Sequence, residues 1–137
     1  PDLTPNIETY NDPADAAYLP LYCQANGFEG YLHWSWMNWT DQPLQDSRFK
    51  LFPAGDTYLI YPGPRSSVRW ERFIEGVQQV EKYRILREEC QREGNADGVK
   101  KLDDALRSFQ SGQPNYHNTT AQSVNYFEYL LNEMSAK

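Results

Sequence analysis

The stretch Gly30-Tyr31-Leu32-His33-Trp34-Ser35-Trp36-Met37-Asn38-Trp39 decides how this chain reads as a fold. It is dense in aromatic side chains, which suit the pleated surface of a strand. Large side chains fall on both alternating sets, so both faces of such a strand would be covered, as in a parallel sheet buried between other layers. Downstream, residues 40–55 carry two prolines and several charges with no helical period, which predicts a long surface loop of the kind that often carries function. Asp56-Thr57-Tyr58-Leu59-Ile60-Tyr61 then reads as a second strand, closed by Pro62-Gly63-Pro64.

Outside this pair the pattern is helical. Residues 1–13 are rich in Pro, Asn, Asp and Thr and read as irregular loop. Asp12-Pro13-Ala14-Asp15 is a helix start, with Asp12 as cap and Pro13 where no N–H is needed; the helix runs to about Asn26 and stops at Gly27. After the Pro-Gly-Pro turn, Ser66 or Ser67 caps a long amphipathic helix. It is marked by Phe73, Val77, Val80, Tyr83, Leu86 and Cys90 and ends near Gly94. Gly76 inside it costs about 1 kcal/mol relative to Ala, and a close approach to a strand would account for it. Val99, Leu102, Leu106 and Phe109 mark another helix, and Val124, Phe127, Leu130, Leu131 and Met134 a last one, with residues 111–120 as the link. The expected order is loop, helix, strand, long loop, strand, three helices. Two strands cannot bury two apolar faces by themselves. Either the sheet has partners outside this sequence or the chain is a small α+β domain.

Composition narrows the function classes. A formal charge of −6 and a pI near 4.8 exclude a phosphate-binding nucleic-acid surface, which needs clustered Lys and Arg. No apolar run approaches the roughly 20 residues of a membrane span. Cys23 and Cys90 lack metal-ligand spacing and are too few for a disulfide framework, so two buried free thiols are expected. The sequons at Asn38 and Asn118 are three-residue patterns that arise by chance and carry no weight.

Four linked motifs go further: Gly27-Phe28-Glu29-Gly30-Tyr31-Leu32-His33-Trp34; Pro43-Leu44-Gln45-Asp46-Ser47-Arg48-Phe49; Pro53-Ala54-Gly55-Asp56-Thr57-Tyr58-Leu59-Ile60-Tyr61-Pro62-Gly63; and Ser66-Ser67-Val68-Arg69-Trp70-Glu71. In order and spacing they resemble the end of the catalytic domain of glycoside hydrolase family 123, over about residues 5–89. The resemblance implies an α/β fold: the C-terminal portion of a (β/α)8 TIM-type barrel, here its last two strands, with closing C-terminal helices. A complete barrel takes about 250 residues, so the expected domains are a partial barrel over 1–93 and a helical extension over 94–137. It also implies removal of terminal β-linked N-acetylgalactosamine with retention. In that substrate-assisted reaction the 2-acetamido oxygen attacks, one carboxylate orients it and a neighbouring acid protonates the leaving oxygen. The family carries these roles on adjacent Asp and Glu. No Asp-Glu dipeptide occurs in this sequence, so no catalytic residue is assigned and the chain alone is expected to be inactive.

By the same resemblance, residues 30–39 would be the seventh barrel strand and 56–61 the eighth, with their C-terminal ends toward the sugar. The substrate-binding candidates are then Trp36, Trp39 and Tyr61 for stacking, Asn38 for a hydroxyl, and Tyr10 reaching in from its loop. The family often has Tyr-Asn-Ser-Trp where this chain has Trp36-Met37-Asn38-Trp39, and the lost amide at Met37 bears on sugar preference. Trp34 is expected in the core and His33 as a buried, hydrogen-bonded histidine. Asp56 is expected to fix its turn or pair with an arginine, and Arg69 to hold a carboxylate or a structural salt bridge. The partners implied are a glycan or glycoconjugate ending in N-acetylgalactosamine and the remaining barrel strands of the parent chain, with no nucleic acid, membrane span, metal or cofactor. A periplasmic or secreted parent suits the family. The competing class is a carbohydrate-binding or interaction module without hydrolysis.

Overall fold

A computed structural model describes residues 5–49, 51–112 and 119–136. Four helices organise it: α1 (Ala14–Ala25), α2 (Val68–Arg92), α3 (Ala96–Arg107) and α4 (Thr120–Ser135). Each begins where a polar side chain can accept from free N–H groups. Asp12 Oδ1 accepts from Ala14 N at 2.9 Å, Ser67 Oγ from Trp70 N at 3.1 Å, and Asn95 Oδ1 from Gly98 N at 2.9 Å. Thr119 and Gln122 form a reciprocal capping box on α4. Gly27 and Gly94 follow α1 and α2 at φ 73° and 71°, a left-handed conformation that only glycine adopts without cost. Most of the predicted link over 111–120 lies outside the described residues, as do the first four residues of the predicted N-terminal loop and Asn118.

α1 and α2 form a shared spine. One face of α1 (Ala17, Tyr18, Leu21) joins Tyr83, Leu86 and Cys90 of α2, Leu102 and Leu106 of α3, Phe109, and Val124, Phe127 and Leu131 of α4 in a single core. Its other face (Ala16, Leu19, Cys23) meets Ile7 and Leu59, with Tyr31, Trp36, Trp70 and Phe73 packed against them. A helix apolar all round is one buried on all sides, and α1 is that helix. Gly76 of α2 lies directly on the Ala17 carbonyl, where any side chain would collide. The close approach is between two helices, not between a helix and a strand.

The expected barrel portion is absent. Among the described residues there is no strand, and neither 30–39 nor 56–61 forms one; the only pairings are isolated antiparallel bridges, Met37 with Tyr58, Phe49 with Phe52 and Tyr61 with Arg65. Strand propensity is realised through packing against cross-strand and same-face neighbours, and these segments have one bridge between them where a sheet would need a ladder on both sides. Their polar backbone groups are satisfied in other ways. Residues 53–60 descend through turns (Asp56 N to Pro53 O, 3.1 Å; Tyr58 N to Gly55 O, 3.4 Å), and Leu59 N and Ile60 N both reach Trp36 O. Side chains donate to the carbonyls that a ladder would have used: His33 Nε2 to Asp56 O at 2.6 Å, Ser35 Oγ to Thr57 O at 2.8 Å and Trp39 Nε1 to Ile60 O at 2.8 Å.

Candidate functional site

The aromatic segment between α1 and α2 carries the candidate site. Asn38 and Trp39 lie on the surface, Trp39 at 41% exposure. Both are tied to the facing turn, Asn38 N donating to Thr57 O at 3.0 Å and the Trp39 indole to Ile60 O. Tyr61, half-buried, follows on that turn, with its ring edge-on to the buried Tyr58 ring at 5.1 Å and its backbone paired with Arg65. Three of the sequence candidates, Asn38, Trp39 and Tyr61, are therefore arranged around one short segment, 57–61. The other two are not. Trp36 points into the packing, edge-on to Trp70 at 5.3 Å and to Phe73 at 5.9 Å. Tyr10 is an exposed ring beside Thr9, whose backbone bonds Ala54 O, with no contact that joins it to Trp39 or Tyr61.

Beside Trp39 the chain opens into a polar cleft of about 280 Å³ lined by Thr40, Asp41, Gln42, Asp46 and Arg48. Thr40 Oγ1 donates to Asp46 O at 2.7 Å, and Tyr58 OH to Pro43 O at 2.9 Å, which fixes the loop against the same turn. Arg48 donates to both carboxylate oxygens of Asp46, at 2.9 and 2.7 Å, and these hydrogen bonds hold the Asp46 pKa at about 2. A carboxylate so held stays ionised near neutrality, so it can accept from a hydroxyl but cannot serve as a general acid. An aromatic face beside groups that bond hydroxyls is what a sugar requires. The polar half of this arrangement was legible only as a long charged loop.

A second aromatic surface was not anticipated. Trp34, expected in the core, is 54% exposed and packs its ring on Phe52 at 4.8 Å. Its indole N–H donates to Asp56 Oδ2 at 2.9 Å, so Asp56 is paired with a tryptophan rather than an arginine. His33 is buried as expected, its Nε2 on Asp56 O and its Nδ1 facing Tyr31 OH at 3.3 Å. Burial, then the nearby Cys23 and Asp56, push the Tyr31 hydroxyl up to about 12, so it stays protonated and able to donate to that nitrogen. Both cysteines are free and buried, and burial raises the Cys23 thiol. Arg69 reaches backbone carbonyls and no carboxylate among the described residues. No group of three metal-capable side chains gathers, and no helix is long and apolar enough to cross a membrane, among these residues.

The fold is similar to that of a family 123 glycoside hydrolase from Clostridium perfringens, whose structural analysis concerns glycolipid glycan hydrolysis. The TM-score is 0.74 at 22% identity, over 96% of this chain and 25% of that one. The likeness shows a shared fold, and the chain spans about a quarter of that protein's length. The family model of the glycoside hydrolase 123 catalytic domain matches residues 1–86, well over half of the chain, and the chain belongs to that family. No curated protein matches it.

Proposed function

We propose that this chain is one part of a glycoside hydrolase that removes terminal β-linked N-acetylgalactosamine by substrate-assisted, retaining hydrolysis, and that its contribution is a wall of the sugar site rather than the reacting carboxylates. The observation that carries this reading is the family match over residues 1–86, which contains the whole aromatic segment. Asn38, Trp39 and Tyr61 supply the wall, and the adjoining cleft at Asp46 offers a carboxylate that stays ionised near neutrality as an acceptor for a hydroxyl. The adjacent Asp and Glu that orient the acetamido group and protonate the leaving oxygen lie outside these 137 residues, where no Asp-Glu dipeptide occurs. Beyond residue 93 the described residues add α3 and α4 as a helical extension of that part.

The surface of the aromatic segment supports the same reading. Leu32 (91% exposed), Leu51 (96%), Met37, Leu44 and Phe52 all face outward between α1 and α2. Large apolar side chains exposed in this number along one segment suit an interaction face, and the rest of the catalytic domain is the occupant proposed for it. The test is hydrolysis by the full-length protein of aryl β-N-acetylgalactosaminide, with the anomer of the first product read by NMR. Release with retention is expected, blocked by a galacto-configured thiazoline that mimics the oxazolinium intermediate. Inversion, or release unaffected by the thiazoline, sinks the mechanism. Glycan binding with no hydrolysis favours the binding-module alternative.

A further inference from the structure

We propose that Arg69 is the positioning residue of the aromatic wall, setting the angle at which Trp39, Asn38 and Tyr61 meet a sugar; this rests on the reading of that wall as a glycan surface. Arg69 stands in the first turn of α2 and is only 7% exposed. Its guanidinium joins two stretches of chain to the head of α2, the N-terminal segment at Ile7 and the turn that holds Gly55 and Tyr58. Nη1 donates to Ile7 O at 2.6 Å and to Gly55 O at 2.7 Å, and Nη2 donates to Tyr58 O at 2.8 Å. A buried cation is tolerated when its donors are satisfied by well-aimed acceptors, and here every acceptor is main chain. The planar guanidinium thereby locks backbone to backbone, which the single point charge of a lysine does less well.

What it locks is the turn from which the wall hangs. Gly55 and Tyr58 bracket the start of that turn. Between them, Thr57 O receives Asn38 N; past them, Leu59 N and Ile60 N reach Trp36 O, and Ile60 O receives the Trp39 indole. The Tyr58 ring supports Tyr61 edge-on. In a segment without a sheet ladder, these bonds hold 57–61 together with those of Ser35 Oγ to Thr57 O, Tyr58 OH to Pro43 O and Tyr61 with Arg65, and Arg69 supplies two of the anchors at its head. Gly55 suits this role. Its φ is +84°, and a methyl group there would meet the Thr9 side chain first and then lie 2.8 Å from Arg69 Nη1, so a larger residue is strained by its backbone and crowds the guanidinium.

The experiment compares Arg69→Met, Arg69→Lys and Gly55→Ala in the full-length protein carrying 5-fluorotryptophan, with the Trp39 fluorine signal assigned by Trp39→Phe. The Trp39 signal in Arg69→Met is expected to shift or broaden. KM for aryl β-N-acetylgalactosaminide should rise about tenfold or more while kcat changes less than about threefold, as for an interaction made equally in ground and transition states. Arg69→Lys should fall between this variant and the parent, and Gly55→Ala should reproduce the Met effect with the arginine still present. If Arg69→Met does not fold, the same shift and KM rise are required of Arg69→Lys and Gly55→Ala. An unchanged Trp39 signal in folded variants overturns the proposal. So does a fall in kcat at constant KM, which is what mere loss of folded enzyme produces. Failure of the glycan reading looks different: Trp39→Ala leaves KM unaltered while the fluorine signal still follows Arg69.

Discussion

The two regions that share the α1–α2 spine are built on different physics. On one side, α3, α4 and the second half of α2 bury Leu102, Leu106, Phe109, Val124, Phe127 and Leu131 almost completely. Their helices are joined by polar links such as Arg87 to Asp103, at 2.8 Å, to which the Tyr83 hydroxyl also donates at 2.7 Å. On the other side, residues 28–66 contain no helix or strand among those described, show Leu32 and Leu51 to solvent, and rest on single hydrogen bonds from side chains to carbonyls. The difference teaches where each half obtains its order. A helix satisfies its own backbone, so the helical side needs only a stripe of apolar contacts. Aromatic segments without a ladder must borrow donors such as Arg69, His33 and Trp39, and they leave apolar side chains such as Leu32 and Leu51 exposed.

The comparison can be broken first by alkali. Burial, the largest cause in each case, raises the hydroxyls of Tyr18 and Tyr83 on the helical side and Tyr31 on the aromatic side to about 12. The unfolded chain loses these protons near pH 10, so between pH 10 and 12 it binds fewer protons than the fold does and stability must fall as pH rises. Titration followed by tyrosinate absorbance and by circular dichroism should show ionisation of these tyrosines and loss of helix together above pH 10. Full ionisation with helices intact would contradict their burial.

Removing a core ring comes next. Phe127→Ala should cost about 3–5 kcal/mol, the usual range for a buried aromatic, and lower the melting temperature accordingly. A loss below about 1 kcal/mol would mean that the helical side can collapse around the cavity. Gly76→Ala should cost about 1–3 kcal/mol, because its methyl would force α1 and α2 apart at Ala17. Since the spine is common, it should disturb both regions, visible as increased hydrogen exchange in 30–39 as well as in α4. Exchange confined to one region would separate the two halves. The smallest effect on stability is expected from Leu51→Ser at the exposed tip, within about 0.5 kcal/mol. The same change should reduce self-association of the isolated chain in sedimentation, whereas Ile85→Ser on the helical side should not.

The helices were legible because their signals are local. Ser67, Gly27 and Gly94 mark ends, and the spacing of Tyr83, Leu86 and Cys90 marks the inner face, whatever lies beyond. His33 was legible as a bonded, buried imidazole for want of any catalytic companion in the pattern. Two of the three tryptophans of the aromatic run were not: Trp34, expected inside, is exposed, and Trp36, expected at the sugar, packs on Trp70 and Phe73. Alternation says only that successive side chains point opposite ways, and that holds only where a strand exists to alternate.

By itself the sequence determined the family, through four motifs in fixed order, together with the ends of the helices and the absence of an Asp-Glu pair. Tertiary structure alone decided that 30–39 and 56–61 are not strands, that Arg69 holds carbonyls rather than a carboxylate, and that Asn38, Trp39 and Tyr61 share one turn while Tyr10 and Trp36 stand apart. The physical reason is one of range. Caps and helical periods are settled within a few residues, whereas a strand, a buried cation and the outward angle of an indole depend on partners 11 to 62 positions away, as the bonds of Arg69 do to Tyr58, Gly55 and Ile7.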